Sequence, residues 1–334
     1  MRAGLQKYMA VVQANELGRF KLNRRLVLSR CSLQPDTKIK FESLLGASLE
    51  TVDIFPVNSG FCNSVYKVES NTGAKIIKLY SETSKLRTES QLRGVADCLL
   101  AQVQMSPGVS ALSPEGIVHD YIEGAALSES DLCTNLDLAF TVATVLRRLH
   151  KLPIPKEYGN EPLIWGWLES MLNCMKMRKP LLPHGITVAK IERELYFLRG
   201  KVEAENFDVA FCHGDCKPSN LLVDLESRLW LIDLELAGPN YRGLDLIKLF
   251  RTQSNRFSEG DLKMFLSNYC AKDEFLAVKL EHECRICEIL SWLEAAMFFA
   301  TLTSNGEYSD ETLSLFEQRW LSFQQSKCSV WSIE

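Results

Sequence analysis

From about Leu45 the chain alternates apolar and polar positions in short runs. Val52–Val57, Ser64–Val68 and Ala74–Tyr80 each read as a strand, and Asn71–Gly73 supplies a hairpin turn between the last two. Apolar residues at helical spacing then predict a helix over Lys85–Gln104. Pro107 and Gly108 break that pattern before another strand, Gly116–Ile122. Beyond it the period is mostly helical. Leu136–His150 is amphipathic and is stopped by Pro153 and Pro155. Helices are also predicted over Leu163–Met177, Val188–Val202, Asp245–Phe250, Glu259–Tyr269, Glu281–Thr301 and Asp310–Gln325, with strands inside Phe207–Trp230 interrupting the series. The order predicts an α+β protein: a small antiparallel-sheet lobe over 45–122, a larger mostly helical lobe over 123–334, and a basic extension over 1–44.

Composition narrows this picture. The 334 residues suffice for two lobes, and 46% hydrophobic with 24% charged content is ordinary for a globular protein. A net charge of -4 argues against a general nucleic-acid binder. No apolar run approaches the ~20 residues of a membrane-spanning helix. The 11 cysteines are scattered and odd in number, which suggests free thiols in a reducing, cytoplasmic setting. His282, Cys284 and Cys287 have a metal-like spacing but lack a second ligand pair, so they read as part of a core helix. Arg2, Lys7, Arg19, Lys21, Arg24, Arg25 and Arg30 face a single acid, Glu16, in the first thirty residues. A transit segment would look similar, but the absence of Ser-rich character favours a basic helix packed on the domain.

The chemistry concentrates in His213–Asn220 (HGDCKPSN), followed by the apolar run Leu229–Ile232 and Asp233. One carboxylate can orient an alcohol, while an amide oxygen and a second carboxylate hold a metal that neutralises a transferring phosphate. Asp215 is therefore the expected base, and Asn220 and Asp233 are the expected Mg2+ ligands through hard oxygen donors. Glu235 would share the face of Asp233 on an extended strand and could add a metal or substrate contact. Lys217 is close enough in sequence to reach a γ-phosphate, and His213 is expected to brace the loop. In the small lobe, Asn58–Ser64 would cover the phosphates of ATP with backbone N–H groups, with Ser59, Gly60 and Asn63 as candidates; a single glycine makes that a weak signal. Lys78 is the expected cation for the α/β-phosphates, with Glu89 as its ion-pair partner and Lys75 ranked second. Backbone groups near Asp120–Ile122 would meet the adenine, placing Ile122 at the nucleotide. Together these features describe a two-lobed, protein-kinase-like architecture.

The chain resembles the choline/ethanolamine kinases, within the wider aminoglycoside-phosphotransferase-like group. The likeness rests on Pro239–Asp245 (PNYRGLD), Ile122–Gly124 within DYIEGAAL, Ile76–Tyr80 (IIKLY), Lys156–Leu168 (KEYGNEPLIWGWL) and the terminal helices from Ser291 to Phe323. It implies an ATP- and Mg2+-dependent phosphotransferase acting on the hydroxyl of ethanolamine or choline, in phospholipid head-group synthesis. It also implies that Arg242 and Asp245 support the active-site loop, and it leaves a homodimer open. Against the family pattern, Gly214 stands where asparagine is usual and Leu236 where a tyrosine would face the amino alcohol. Lys248 and Leu249 replace a polar pair, and Trp292, Glu294 and Phe298 occupy a stretch where tryptophans would box a quaternary ammonium. Leu236, Arg242, Glu294 and Phe298 are thus the candidates on the acceptor side. Because a trimethylammonium needs an aromatic cage and a primary ammonium can use carboxylates, these changes tilt the expectation away from strict choline specificity. The alternatives are another small-molecule kinase of this fold, taking an amino sugar, thiamine or a similar alcohol, or a nucleotide-binding interaction protein without catalysis. The sequence LELAGPNYRGLD after Asp233 argues against a protein kinase.

Overall fold

A computed structural model describes residues 33–46, 52–57, 62–250, 258–304 and 309–331. The expected basic N-terminal helix within the first thirty residues, and Ser59 and Gly60 of the phosphate-covering segment, lie outside the described residues. The chain divides into two units. The first contains the described residues up to Leu127 together with Ser219–Glu235; the second contains Ser128–Pro218 and the residues from Leu236 onward.

The first unit is built on an antiparallel sheet of strands β1 (Asp53–Val57), β2 (Ser64–Ser70), β3 (Gly73–Leu79), β4 (Val109–Ser113) and β5 (Gly116–Asp120), in the order β1-β2-β3-β5-β4. The Asn71–Gly73 hairpin is present, with Ser70 paired to Gly73. Strand β4 was not expected: its Ser/Ala-rich sequence, VSALS, carries little strand signal. The helix Pro35–Leu45 buries Phe41 and Leu44 with Ile54, Val68, Ile77 and Val118, and Phe41 meets Tyr66 edge-on at 5.0 Å. Lys78 therefore lies on a central strand, with Val65 opposite it on one side and Ile117 on the other. On the opposite face of β3, Lys75 pairs with Asp120 at 2.5 Å near the surface.

The single helix expected over Lys85–Gln104 is instead two, Glu82–Arg87 and Val95–Gln102. Thr88 is extended (φ -132°, ψ 122°), and Gly94 caps the second helix in the left-handed region at φ 74°. Apolar spacing continues across the break, but the backbone between the helices is drawn away by Thr88, whose hydroxyl donates to the Glu235 carbonyl oxygen at 2.7 Å. Residues Ser219–Glu235 rejoin this unit through a three-stranded sheet of β6 (Gly124–Ala126), β8 (Leu221–Asp224) and β9 (Leu229–Leu231), in the order β6-β8-β9. The Leu231 N–H donates to the Met105 carbonyl at 2.8 Å.

The second unit is helical apart from the ribbon of β7 (Val209–Cys212) and β10 (Gly238–Tyr241). Its helices are Leu136–Leu149, Leu163–Arg178, Val188–Ala204, Arg242–Lys248, Glu259–Tyr269, Glu274–Ser304 and Asp310–Trp331, with a short one at Asp131–Thr134. The Glu274–Ser304 helix begins a turn or two before its sequence expectation. It is the one described helix long and apolar enough to cross a membrane, but 83% of its most apolar window is buried inside the protein. Ile286, Ile289, Leu290, Leu293, Met297 and Ala300 place it at the centre of the unit's core, which explains its hydropathy. Cys284 and Cys287 are buried in it, while exposed His282 pairs with Glu205 at 2.8 Å; the segment is a core helix, as expected.

Candidate functional site

The chemistry-bearing residues fall into one cluster in each unit. In the first unit, the β8–β9 hairpin aligns Leu221 with Leu231, and the Ile232 N–H donates to the Asn220 carbonyl at 3.0 Å. This pairing sets Asn220, 5% exposed, beside the turn carrying Asp233. Asp233 adopts φ 64°, a left-handed conformation that aspartate tolerates better than most residues. That turn ends β9, so Glu235 lies in a 3₁₀ turn (Leu234–Leu236) rather than two residues along an extended strand.

Lys78 Nζ contacts Asp233 Oδ1 and lies 3.1 Å from Glu235 Oε2. Burial alone would push the Lys78 ammonium down, but Asp233, Glu235 and Asp97 outweigh it and hold the group above the ordinary lysine value. The acids facing Lys78 are thus Asp233 and Glu235. Glu89, expected as its partner, is exposed beyond the Glu82–Arg87 helix and accepts a hydrogen bond from Gln91 Nε2 at 2.6 Å. The broken helix is the reason: Glu89 falls in the turn and not on a helical face.

Glu235 is a hub that sequence reading understated. Its carboxylate accepts from Asn63 Nδ2 and from Ser84 Oγ at 2.9 Å, and Arg87 Nη2 lies 3.6 Å away. Asn63, expected at the phosphates, also accepts the Ser81 N–H at 3.0 Å through Oδ1. It therefore ties the start of the helix to the acidic turn. Ile122 lies half-buried between β5 and β6, with the preceding Tyr121 N–H donating to the Ala74 carbonyl at 3.4 Å. Asp233 and Glu235 carry carboxylates and Asn220 a side-chain amide, the kinds of oxygen donor that Mg2+ prefers.

In the second unit the loop after β7 is fixed from behind. Asp245, fully buried in the Arg242–Lys248 helix, accepts the His213 N–H at 2.6 Å and the Gly214 N–H at 2.8 Å. His150 Nε2 lies 2.9 Å from the same carboxylate, and His150 Nδ1 lies 2.6 Å from the Tyr269 hydroxyl. Burial would raise the Asp245 carboxyl, yet His150 and the loop donors outweigh it and hold it below the usual carboxylate value. The Cys212 sulfur is close enough to His150 and Asp245 to suggest a metal cluster. Both ring nitrogens are already engaged, however, and burial pushes the Cys212 thiol well up, so it is a protonated core group.

Gly214 explains itself in this setting. Its φ is 81°, and a Cβ there would stand 2.2 Å from the Leu236 carbonyl oxygen. Leu236 is buried in the helical core, so the residue expected beside the acceptor instead walls the loop. Gly214→Ala should cost about 3 kcal/mol of stability, from combined backbone strain and overlap, and urea unfolding measures it. An unchanged midpoint would show that the loop can move aside.

His213 is fully buried and its Nδ1 accepts the Asp215 N–H at 3.3 Å, the bracing role expected of it. Asp215 Oδ2 lies 3.2 Å from Lys217 Nζ, and Asp215 Oδ1 lies 3.5 Å from Lys248 Nζ. Lys248 also reaches Glu294 Oε2 at 3.3 Å and donates to the Gly214 carbonyl at 2.7 Å. Arg242 is held by Asp208 at 3.1 Å and Glu283 at 3.5 Å, next to the Gly243 N–H that donates to Glu283 Oε1. Phe298 packs edge-on against Phe299 at 5.2 Å, on the border of the core.

A buried lysine facing two acids on a sheet-based unit, and a braced Asp/Lys loop on a helical unit, are the parts of a kinase-like phosphotransferase with an alcohol acceptor. A family model described as choline/ethanolamine kinase matches residues 54–274, and the chain belongs to that family. A choline/ethanolamine kinase of Rattus norvegicus is 25% identical over 318 residues, covering 83% of this chain and 79% of that protein. The choline/ethanolamine kinases of Homo sapiens and Mus musculus match over 53% and 54% of their own length. Among solved structures, the Plasmodium vivax ethanolamine kinase has a TM-score of 0.72 at 17% identity, covering 83% of this chain and 82% of that one. LicA in complex with AMP has a TM-score of 0.66 at 18% identity, covering 87% and 98%. These likenesses carry the protein-kinase-like α+β fold expected from the element order.

Proposed function

We propose that the protein transfers the γ-phosphoryl group of ATP to the hydroxyl of a small amino alcohol of the ethanolamine or choline kind. The observation that carries this reading is the buried Lys78 held against Asp233 and Glu235, with Asn220 set beside them by the β8–β9 hairpin. In this reading Lys78 binds the α/β-phosphates, and Asn220 and Asp233 hold Mg2+, with Glu235 supporting them. Mg2+ would neutralise charge developing on the phosphoryl oxygens. Asp215 accepts the hydrogen bond of the acceptor hydroxyl and orients its oxygen toward the γ-phosphorus. As the new O–P bond forms, the bond from that phosphorus to the β–γ bridging oxygen breaks; the hydroxyl proton passes to the Asp215 carboxylate and ADP leaves. Lys217 supplies a positive charge beside the base.

The family membership and an AMP-bound structural neighbour support nucleotide use. The product would be a phosphorylated amino alcohol of the kind used in phospholipid head groups. A reducing, cytoplasmic setting would suit the 11 scattered cysteines of the chain. A coupled ADP-release assay over ethanolamine, choline and other amino alcohols tests the reading. Mg2+-dependent turnover is expected on at least one amino alcohol; turnover only on amino sugars or thiamine would shift the acceptor class. No turnover on any acceptor, with ATP binding intact, would favour the non-catalytic alternative. Asp233→Asn should reduce turnover at least 100-fold and raise the Mg2+ concentration needed for half-maximal rate.

A further inference from the structure

Lys248 is 3% exposed, and its ammonium has three oxygen neighbours, all within the second unit: the Gly214 carbonyl at 2.7 Å, Glu294 Oε2 at 3.3 Å and Asp215 Oδ1 at 3.5 Å. The Gly214 carbonyl accepts a hydrogen bond from this ammonium, and the two carboxylates are its ion-pair partners. Glu294, 4% exposed on the Glu274–Ser304 helix, is correspondingly occupied by an internal cation. Sequence reading offered it to the ammonium of the acceptor.

We propose that Lys248 is a positioning residue for Asp215: it pins the loop through the Gly214 carbonyl and keeps the Asp215 carboxylate ionised, with Glu294 as its counter-ion. This rests on the reading of Asp215 as the base. Among the described residues of the second unit, Lys217 and Lys248 are cations beside Asp215, His213 and Cys216 are its loop neighbours, and Glu294 reaches it through Lys248. Cys216 is fully buried and burial pushes its thiol well up, so it contributes no charge.

The sign follows from charge alone. A cation within 4 Å favours the carboxylate form, so removing it raises the pH at which Asp215 gains a proton. Removing Glu294 frees Lys248 to act on Asp215 and lowers it.

The test is a carboxyl-carbon NMR titration of Asp215 in the full chain, with the signal assigned by its loss in Asp215→Asn. In Lys248→Met the midpoint should rise by about one pH unit. In Glu294→Gln it should fall. Because Lys248→Met leaves Glu294 buried without its cation, Lys248→Met/Glu294→Gln provides a second variant of similar shape, expected to show the rise as well. Turnover should follow: kcat at neutral pH falls about 10-fold or more in Lys248→Met with its acid limb moved to higher pH, and Lys248→Arg recovers part of it. An unmoved Asp215 midpoint in both Lys248→Met variants would overturn the proposal whether or not turnover is seen. If the midpoint moves as expected but Asp215→Asn retains full turnover, the base assignment fails instead.

Discussion

Replacing Asp215 with asparagine is expected to lower kcat about 10³-fold, with little change in KM for ATP. The substitution keeps the shape and the loop but removes the proposed proton acceptor, and positioned general bases contribute roughly 10²- to 10⁴-fold. The half-buried carboxylate lies 3.2 Å from Lys217 Nζ and 3.5 Å from Lys248 Nζ. ATP should still bind, because Lys78, Asn220 and Asp233 belong to the other unit. Steady-state kinetics with isothermal titration of ATP separates the two effects. A loss of less than 10-fold would mean that proton transfer is not part of the slow step.

Asp245→Ala should be the most damaging substitution to stability, at about 3–5 kcal/mol. One carboxylate satisfies the His213 and Gly214 N–H groups and engages His150, all buried. Its removal strands those donors in the interior, where unsatisfied groups cost most. Asp245 also predicts an acid dependence. Its carboxyl lies below the ordinary carboxylate value, so its stabilisation is present above the unfolded-state value and is lost as pH falls through the acid range toward the folded one. Asp245→Asn should therefore flatten the decline of stability on the acid side while lowering stability at neutral pH. Urea unfolding followed between neutral pH and pH about 3 measures both; parallel curves for the two proteins would contradict the assignment.

The candidate residues are legible in the sequence because phosphoryl transfer needs particular side chains at short, fixed separations. Asp215 and Lys217 lie on one loop, and Asn220 and Asp233 on one hairpin, where local geometry suffices to relate the members of each pair. The partner of Lys78 was misread for the opposite reason. A helix drawn through Lys85–Gln104 by apolar spacing puts Glu89 on a face, but Gly94 and the Thr88 bond to Glu235 break it, and Glu89 turns outward. The roles of Glu235 and Leu236 were hidden likewise. The left-handed Asp233 ends the strand, which turns one into a hub for the helix start and the other into a wall against Gly214.

By itself the sequence determined the α+β order and the family, since each is written in local period or in contiguous motifs. Tertiary structure alone decided which charges meet. Lys78 with Asp233, Asp245 with His150, and Lys248 with Glu294 are pairs separated by 155, 95 and 46 residues. A charge has no period that could reveal its partner. Its effect depends on distance and on exclusion from water, and both are set only when strands and helices pack.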